Sequence, residues 1–471
     1  MRRTKIVCTL GPASLKEEML EKMLKNGMNV ARLNFSHGTH EYHKESIELF
    51  RRVRDRMGIP AAVLLDTKGP EIRLGDFEGG HAEIVTGSEF ILTSRDILGN
   101  DREVSVTYKD LPSQVSADKR ILIDDGRIML TVKECTETDV ICYVNDGGPI
   151  SNRKGINIPN THIDLPFLSE NDKKDLIFGI ENNVDFIAAS FVRTGADVIE
   201  MRKFLDYHGG HAIKIISKIE NIEGVNNFDE ILKNSDGIMV ARGDMGVEID
   251  YEKLPGLQKK FIRKCYQSGK MVITATQMLE SMIHSATPTR AEITDVANAV
   301  FDGTSAVMLS GETAIGDHPD RVVKVMAKIA KQAETDAFAM DAYRGIQYET
   351  KSDTTNAICD AACTTARDVG ARAIIAVTKS GRTARRVSKF RPHELIVAAT
   401  PEEKTFHQLS LSWGVYPVLA LSQDSEESLF VHAVDCAKQI DAVKAGDCVV
   451  ITAGVPVNTS GNTNLLKVAT V

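Results

Sequence analysis

The chain has 471 residues, which is enough for two to four domains that each bury a core. Its formal net charge of −8 argues against general binding to nucleic acid or to a membrane surface, and no apolar stretch reaches the ~20 residues of a membrane helix. Its eight cysteines have irregular spacings without a CxxC pair, so they indicate neither a disulfide framework nor a zinc module and favour the reducing cytoplasm.

Eight short runs rich in β-branched residues are typical of buried parallel strands, and they span 4–9, 29–33, 61–65, 185–189, 213–217, 237–241, 271–275 and 305–309. Amphipathic helices are expected between most of these runs. The segment Ser14-Leu15-Lys16-Glu17 predicts a capping box at one helix start, and Ser169 ahead of Glu170 and Asp172 marks another. Eight strand–helix units predict a (β/α)8 TIM barrel, formed by residues 1–69 and 167–343.

The barrel repeat is interrupted once, after its third strand. Residues 70–166 show alternation with period two, in runs at 81–85, 89–93, 103–108, 120–124, 128–134 and 139–144. The tripeptide Asp124-Asp125-Gly126 is a hairpin signal. We therefore expect an inserted all-β domain at the catalytic mouth of the barrel, where a mobile lid would stand.

A third unit is expected from residue 344 to residue 471. Its apolar runs at 373–378, 395–400 and 448–453 alternate with helical patterns, which predicts a compact C-terminal α/β domain.

A lysine and two acidic residues follow barrel strands. Lys218 and Glu220 come after the fifth run, and Asp244 comes after the sixth. Side-chain alternation places Lys218 and Glu220 on the same side of their strand. Carboxylates bind a hard cation such as Mg²⁺ together with substrate phosphates, and a lysine neutralises the remaining phosphate charge. The alternative is a surface ion pair with a helix cap, but ligands of α/β folds collect at the carboxyl ends of strands, so the pattern favours phosphoryl transfer.

Six motifs, in one order along the chain, resemble the pyruvate kinase family: residues 9–14 (TLGPAS), 31–38 (ARLNFSHG), 66–73 (DTKGPEIR), 218–221 (KIEN), 241–246 (ARGDMG) and 274–279 (TATQML). The resemblance covers essentially the whole chain. It implies transfer of the phosphoryl group of phosphoenolpyruvate to ADP, giving pyruvate and ATP in the last step of glycolysis. It also implies a homotetramer. Because the chain stops soon after its last matching region, we expect it to lack the extra carboxy-terminal domain of some bacterial relatives.

The resemblance implies roles for the barrel residues. Glu220 and Asp244 match ligands of Mg²⁺, for which Mn²⁺ can substitute, and Lys218 matches the group that stabilises the phosphoryl group in flight. Arg32 matches a phosphate-binding arginine, whose permanently charged fork suits a phosphate.

Two further positions match substrate-binding residues of the family. At Gly243 the backbone can approach the substrate without a Cβ in the way, and the following turn can present amide groups to its carboxylate. Thr276 matches the threonine near the carbon that is protonated after transfer. Because a hydroxyl is a weak acid, we expect Thr276 to position a water rather than to supply the proton alone.

The resemblance also implies a K⁺ site made of oxygen ligands from Asn34, Ser36, Asp66 and Thr67. Glu71 supports this site, because family members that depend on K⁺ tend to have glutamate there and independent members tend to have lysine. The nucleotide contacts implied in the same way are Asn34, Ser36, His37, Arg73 and Lys154. The segment around Lys154 also has the composition of an ordinary solvated turn.

A regulatory phosphate site is implied in the last domain, because glycine, hydroxyls and cations at a helix start make a phosphate nest. Its residues are Thr378, Lys379, Ser380, Gly381, Arg382 and Thr383. The residues from 453 to 464 are a plausible flap over it, and a plain helix cap is the alternative. The sequence leaves open whether the effector is fructose 1,6-bisphosphate, ribose 5-phosphate or AMP.

Two other functions fit part of the pattern. A metal-dependent 2-keto-acid aldolase also holds magnesium pyruvate on a glutamate and an aspartate, but it requires neither the β-rich insertion nor Arg73 for a nucleotide. A sensor without catalytic activity would need only the last domain, and the intact set of Lys218, Glu220, Asp244 and Thr276 argues against it.

Overall fold

A computed structural model describes residues 1–343, 353–456 and 461–471. In chain order the strands are β1 Lys5–Thr9, β2 Val30–Asn34, β3 Ala62–Asp66, β4 Ile72–Arg73, β5 His81–Ile84, β6 Glu89–Thr93, β7 Glu103–Ser105, β8 Arg120–Ile123, β9 Ile128–Cys135, β10 Asp139–Asp146, β11 Gly148–Ser151, β12 Gly155–Asn157, β13 Phe186–Ala189, β14 Lys214–Ile219, β15 Gly237–Ala241, β16 Met271–Ala275, β17 Ala306–Leu309, β18 Ala373–Val377, β19 Leu395–Thr400, β20 Val415–Leu419, β21 Cys448–Ala453 and β22 Leu465–Thr470.

The α-helices are α1 Glu17–Asn26, α2 His40–Met57, α3 Leu111–Gln114, α4 Glu170–Glu181, α5 Gly195–Tyr207, α6 Ile222–Asn226, α7 Phe228–Asn234, α8 Arg242–Glu248, α9 Leu254–Gln267, α10 Arg290–Phe301, α11 Gly311–Ala314, α12 Pro319–Ala339, α13 Thr354–Asp368, α14 Arg382–Lys389, α15 Glu403–Gln408 and α16 Glu426–Gln439. In the described part of the chain, no helix combines the length and the hydropathy needed to cross a membrane.

The eight predicted barrel strands form a closed parallel barrel in the order β1-β17-β16-β15-β14-β13-β3-β2, so this prediction is confirmed. Alternate residues of each strand pack on opposite sides. In β1, Val7 belongs to the core inside the barrel, whereas Ile6 and Cys8 pack in the core between the strands and the surrounding helices. Burial on both faces explains why these strands are continuous apolar runs rather than alternating ones.

One of the two predicted helix starts is correct. Ser169 and Asp172 form a reciprocal capping box ahead of α4. The capping box predicted at Ser14 is wrong, because α1 begins at Glu17 after Lys16 and has no side-chain cap. The Ser14 hydroxyl instead accepts a hydrogen bond from the Gly11 amide at 3.0 Å, so it stabilises the turn after β1.

The inserted segment is all-β, with a seven-stranded sheet in the order β4-β12-β8-β9-β10-β6-β7 and a separate pair of β11 with β5. It has its own hydrophobic core, which includes Phe90, Leu92, Ile121 and Leu130. The runs predicted in this segment contain strands, but the short strands β4, β11 and β12 were not predicted.

The last domain has a five-stranded sheet in the order β20-β19-β18-β21-β22, in which only β22 is antiparallel to its neighbour. The three strands predicted there are present as β18, β19 and β21. The predicted boundary at residue 344 lies outside the described residues, as do residues 457–460 of the predicted flap.

The last domain packs against the amino ends of the barrel strands. The Lys5 ammonium at the start of β1 donates a hydrogen bond to the Val415 carbonyl at 2.6 Å. Gln408 of α15 donates to the carbonyl of Asp185, immediately before β13, at 3.1 Å. The carboxyl ends of the barrel strands, where the inserted domain leaves the barrel, are therefore on the opposite side.

Candidate active site

Lys218 is the centre of a buried polar cluster at the carboxyl ends of β3, β13 and β14. Its ammonium lies 2.8 Å from Glu220 Oε1 and 3.1 Å from Asp66 Oδ1. It also donates a hydrogen bond to the Ser190 hydroxyl at 2.8 Å. Glu220 and Asp66 are each only 1% exposed. One cation therefore lies between two carboxylates that are shielded from water.

Electrostatics in this cluster keep Lys218 charged. Burial alone would lower the pKa of Lys218, but Asp66, Glu220 and Asp244 together raise it above its ordinary value. Burial raises the pKa of Glu220 to about 7, although Lys218 opposes that change. A charged ammonium that is shielded from water is suited to stabilising a phosphoryl group during transfer.

Glu220 and Asp244 are the residues that could hold a divalent cation. Glu220 Oε2 is fixed by a hydrogen bond from the Phe191 amide at 2.6 Å, while Asp244 lies in the first turn of α8. Asp244 is close enough to Glu220 to raise the pKa of that carboxyl. The described residues contain no cluster of three or more His, Cys, Asp or Glu side chains suited to a metal. Two carboxylates fit Mg²⁺, which usually takes its other oxygens from substrate and water.

Arg32 lies at the end of β2, beside Asp66. Its Nε lies 2.6 Å from Asp66 Oδ2, and its Nη1 donates to the Thr9 hydroxyl at 2.9 Å. Burial would raise the pKa of Asp66, but Arg32 and Lys218 outweigh burial and hold that pKa below its ordinary value. Asp66 is thus an ionised carboxylate that fixes the cations of Arg32 and Lys218 next to each other.

The four oxygen-bearing residues predicted to bind K⁺ lie together. Asn34 and Asp66 are register partners at the ends of β2 and β3. The Ser36 amide donates to Asn34 Oδ1 at 3.2 Å, and Thr67 directly follows Asp66. Their hydroxyl, amide and carboxylate oxygens are the ligands that a hard monovalent cation requires. His37 lies in the same loop, where its carbonyl is 2.8 Å from His43 Nε2.

Arg73 ends β4, and Lys154 directly precedes β12, the strand that pairs with β4. Arg73 forms an ion pair with Glu71, with Nη2 to Oε2 at 2.5 Å. Lys154 forms an ion pair with Asp124 of the hairpin at 2.8 Å. The two predicted nucleotide contacts are therefore adjacent to each other at the base of the inserted domain.

Thr276 and Gly243 form one local arrangement at the ends of β15 and β16. The Gly243 amide donates to the Thr276 hydroxyl at 2.7 Å, and that hydroxyl donates to the Ala275 carbonyl at 2.6 Å. A Cβ at position 243 would lie 3.4 Å from Thr276 Oγ1, which is an ordinary contact distance, so packing against Thr276 does not by itself require glycine there. Thr276 has a φ of 68°, an unusual backbone conformation for a β-branched residue and one typical of functional sites.

Sequence reasoning missed two residues that hold this site together. Ser190, which follows β13, accepts from Lys218 and donates to the Thr67 carbonyl at 2.6 Å. Arg242 donates to the Thr276 carbonyl at 2.6 Å and to Asp295 at 2.7 Å. In the sequence, Ser190 could have been found as a polar residue directly after an apolar strand. Arg242 could have been found as a cation beside Gly243.

The fold and the site define a class of protein, the phosphotransferases built on a (β/α)8 barrel with a C-terminal α/β domain. Comparisons with known proteins give the family. Residues 1–323 match the family described as pyruvate kinase, barrel domain, and residues 356–469 match pyruvate kinase, alpha/beta domain. The chain belongs to the pyruvate kinase family.

Full-length relatives agree with this assignment. The pyruvate kinase of Staphylococcus haemolyticus is 49% identical over 99% of this chain and 80% of its own length. That of Clostridium acetobutylicum is 48% identical over 100% of both chains. A crystal structure of a pyruvate kinase from Cryptosporidium parvum matches with a TM-score of 0.94 and 42% identity, over 100% of this chain and 96% of the other.

Proposed function

We propose that this protein transfers the phosphoryl group of phosphoenolpyruvate to ADP and so catalyses the last step of glycolysis. The observation that carries the proposal is the buried Lys218 ammonium between Glu220 and Asp66 at the carboxyl ends of the barrel strands. Family membership agrees with this reaction. The homotetramer remains a prediction from the family resemblance.

Each candidate site residue of the barrel has a defined role in the proposed reaction. Arg32 binds the phosphoryl group in the ground state, and Lys218 stabilises its charge during transfer. Mg²⁺ held by Glu220 and Asp244 would neutralise negative charge on the phosphoryl oxygens. Thr276 positions the water from which the enolate carbon is protonated.

Substrate binding involves residues from two domains. The backbone around Gly243, at the start of α8, binds the carboxylate of phosphoenolpyruvate. Arg73 and Lys154 bind the phosphates of ADP from the inserted domain, and Asn34, Ser36 and His37 complete the nucleotide site from the barrel loop after β2. Motion of the inserted domain would bring the two parts together and exclude water.

A coupled assay tests the reaction directly. Phosphoenolpyruvate and ADP are supplied with and without Mg²⁺, and pyruvate is measured with lactate dehydrogenase. We expect pyruvate formation that requires both ADP and Mg²⁺. Pyruvate released from 4-hydroxy-2-ketoacids without ADP would instead identify an aldolase. The absence of either activity from a folded protein would favour a sensor.

We also propose a K⁺ site at Asn34, Ser36, Asp66 and Thr67, and it leads to a prediction about Glu71. With Na⁺ or a bulky organic cation as the only monovalent ion, we expect activity to fall. Glu71→Lys is expected to restore part of it, because an internal ammonium supplies the missing positive charge.

The matched control for this prediction is Glu78→Lys, which adds the same charge at an exposed position of the inserted domain. It should leave the cation dependence unchanged. Since Glu71→Lys also removes the ion pair with Arg73, the KM for ADP is measured in parallel. A parent enzyme that is equally fast without K⁺ would refute the four-ligand site.

A phosphorylated effector is proposed to bind residues 378–383 and to lower the KM for phosphoenolpyruvate. The double substitution Arg382→Ala and Thr383→Ala should abolish this activation, because it removes a cation and a hydroxyl from the loop. The effector must bind the active arrangement of the protein more tightly than the inactive one, and in ordinary allostery the two binding free energies differ by ~1–3 kcal/mol.

The readout is the ratio of KM values with and without AMP, ribose 5-phosphate or fructose 1,6-bisphosphate. Arg367→Ala is the matched control, since Arg367 is exposed in the same domain and forms an ion pair only with its neighbour Asp368 among the described residues. Full activation of the double variant by any of the three compounds would place the effector site elsewhere.

A further inference from the structure

Arg242, the first residue of α8, directs its side chain to the carboxyl end of β16. Its Nε donates a hydrogen bond to the Ala275 carbonyl at 3.2 Å, and its Nη2 donates to the Thr276 carbonyl at 2.6 Å. These two carbonyls belong to the peptide groups on either side of the Thr276 Cα. Because the backbone dihedral angles of a residue are rotations of its two flanking peptide groups, one guanidinium fixes the backbone conformation of Thr276.

The backbone conformation of Thr276 is one that a threonine does not adopt readily. Thr276 has a φ of 68°, and Gln277 after it has a φ of 53°, so two consecutive residues with a Cβ lie in the left-handed region. Branching at Cβ makes this region unfavourable for threonine in particular. Such a backbone persists only where the surrounding structure holds it in place. The two hydrogen bonds from Arg242 are contacts of that kind.

The backbone of Thr276 in turn decides where its hydroxyl lies. The oxygen Oγ1 accepts a hydrogen bond from the Gly243 amide at 2.7 Å and donates its proton to the Ala275 carbonyl at 2.6 Å. A hydroxyl has one proton and two lone pairs, so one lone pair remains for a water molecule. Arg242 and the hydroxyl share the Ala275 carbonyl as an acceptor. Rotation of this peptide group would therefore move the hydroxyl and the water-binding position together.

The remaining N–H groups of the Arg242 guanidinium bind other protein atoms. Nη1 donates to Asp295 Oδ1 at 2.7 Å and to Gln258 Oε1 at 3.3 Å. Nη2 also donates to Met278 Sδ at 2.9 Å. Together with the two carbonyls, these acceptors use all five N–H groups of the guanidinium. The guanidinium is therefore not available to bind a phosphate, and its contacts are those of a group that orients other parts of the protein.

We propose that Arg242 is a positioning residue for the proton-transfer step. It holds Thr276 in the left-handed conformation and thereby keeps the hydroxyl within reach of the carbon that is protonated. This inference rests on the proposed function, in which Thr276 positions the water that protonates the enolate carbon, and it adds the group that positions Thr276 itself. A lysine at position 242 would bring one nitrogen instead of a fork, so it could not hold both carbonyls and the Asp295 carboxylate in this geometry.

The substitution Arg242→Met tests the proposal by separating proton transfer from the rest of the reaction. Exchange of the methyl protons of pyruvate, followed by NMR in D₂O, is expected to fall about a hundred-fold or more, because the water is no longer held at the carbon. The KM for phosphoenolpyruvate should change by only about two- to three-fold, since Arg242 makes no hydrogen bond to Lys218 or Arg32. Steady-state turnover should fall less than the exchange does, because enolpyruvate that leaves the site takes its proton from bulk water.

A purely structural role for Arg242 predicts a different result. Gly243 and Asp244 directly follow Arg242, so a displaced α8 would disturb the proposed carboxylate site and a proposed Mg²⁺ ligand. The KM for phosphoenolpyruvate and the Mg²⁺ concentration for half-maximal activity would then rise, and turnover would fall as much as the exchange. That result would overturn the proposal.

A double-mutant cycle with Thr276→Ala tests whether Arg242 acts through Thr276. Thr276→Ala is expected to lower the exchange by itself. Adding Arg242→Met should lower it by less than about two-fold further, because the group that Arg242 positions is already missing. Two independent effects that multiply would overturn the proposal. Arg263→Met is the matched control, since Arg263 is exposed on α9, and it should keep the exchange and the turnover of the parent.

Arg242→Lys provides a second variant if thermal unfolding shows that Arg242→Met does not fold. Lysine keeps the positive charge beside Asp295 but not the two carbonyl contacts, so the same selective loss of exchange is expected. Exchange at the parent rate in a folded Arg242→Lys would overturn the proposal.

The failure of this inference is distinguishable from the failure of the proposed function. A parent enzyme that forms no pyruvate from phosphoenolpyruvate and ADP would overturn the proposed function. A normal exchange rate in Thr276→Ala would overturn the role of Thr276 and this inference with it. A normal rate in Arg242→Met, with a lowered rate in Thr276→Ala, would overturn this inference alone.

Discussion

Glu220→Gln and Asp244→Asn are each expected to lower turnover about a thousand-fold or more while leaving the fold intact. Both changes keep the shape of the side chain but remove a negative charge from the proposed Mg²⁺ site. Glu220 also accepts hydrogen bonds from Lys218 and from the Phe191 amide, so glutamine can retain part of the local geometry. The loss of rate should therefore come from the missing cation and not from a collapsed site.

Turnover is measured at saturating phosphoenolpyruvate over a titration of Mg²⁺, with thermal unfolding as the test of the fold. Glu252→Gln is the matched control. Glu252 is exposed in the turn ahead of α9, so this substitution removes the same charge at a distance from Lys218. Retention of more than about a tenth of the activity by either site variant at saturating Mg²⁺ would refute the metal assignment.

The barrel could be predicted from the sequence because its strands are buried on both faces. Every residue of β15, for example, is buried, so the strand is a continuous apolar run that a short window detects. The strands that were missed lack such a signal. β4 has two residues, and its partner β12 comes from the other end of the inserted domain. Their pairing depends on where the chain leaves and re-enters the barrel.

Two strands of the last domain were missed for a related reason. β20 contains Pro417, which cannot donate to a ladder and is tolerated because β20 is an edge strand. β22 is the other edge, and its residues are partly or fully exposed. Edge strands gain their order from one neighbour only, so their composition is less constrained than that of central strands.

In the candidate site, too, contacts between residues close in the sequence could be predicted, whereas contacts between residues far apart in the sequence could not. Lys218 and Glu220 could be predicted as neighbours because they are two residues apart on one strand. The hydrogen bond between Ser190 and Lys218 joins residues 28 positions apart, and that between Arg242 and Asp295 joins residues 53 positions apart. Contacts of this kind are set by the closure of the barrel, which no local pattern encodes.

Lys218→Met is expected to separate phosphoryl transfer from substrate binding. If the ammonium acts mainly on the moving phosphoryl group, kcat should fall by roughly a thousand-fold while the KM for phosphoenolpyruvate changes by only a few-fold. Arg32, which is proposed to bind the substrate phosphate, remains in this variant, and Asp66 keeps its ion pair with Arg32. Methionine has a similar length without a charge, so it fills the space that the lysine leaves.

Exchange of the methyl protons of pyruvate in D₂O, followed by NMR, provides the second readout. This exchange should survive in Lys218→Met, because in the proposed mechanism it depends on Thr276 and a bound cation and includes no phosphoryl transfer. Lys214→Met is the matched control, since Lys214 lies at the other end of β14 and its ammonium is 3.3 Å from Asp236. The control should keep both activities. Equal loss of turnover and of proton exchange in Lys218→Met would mean that the polar cluster had collapsed. It would refute the proposal that Lys218 acts mainly on the phosphoryl group during transfer.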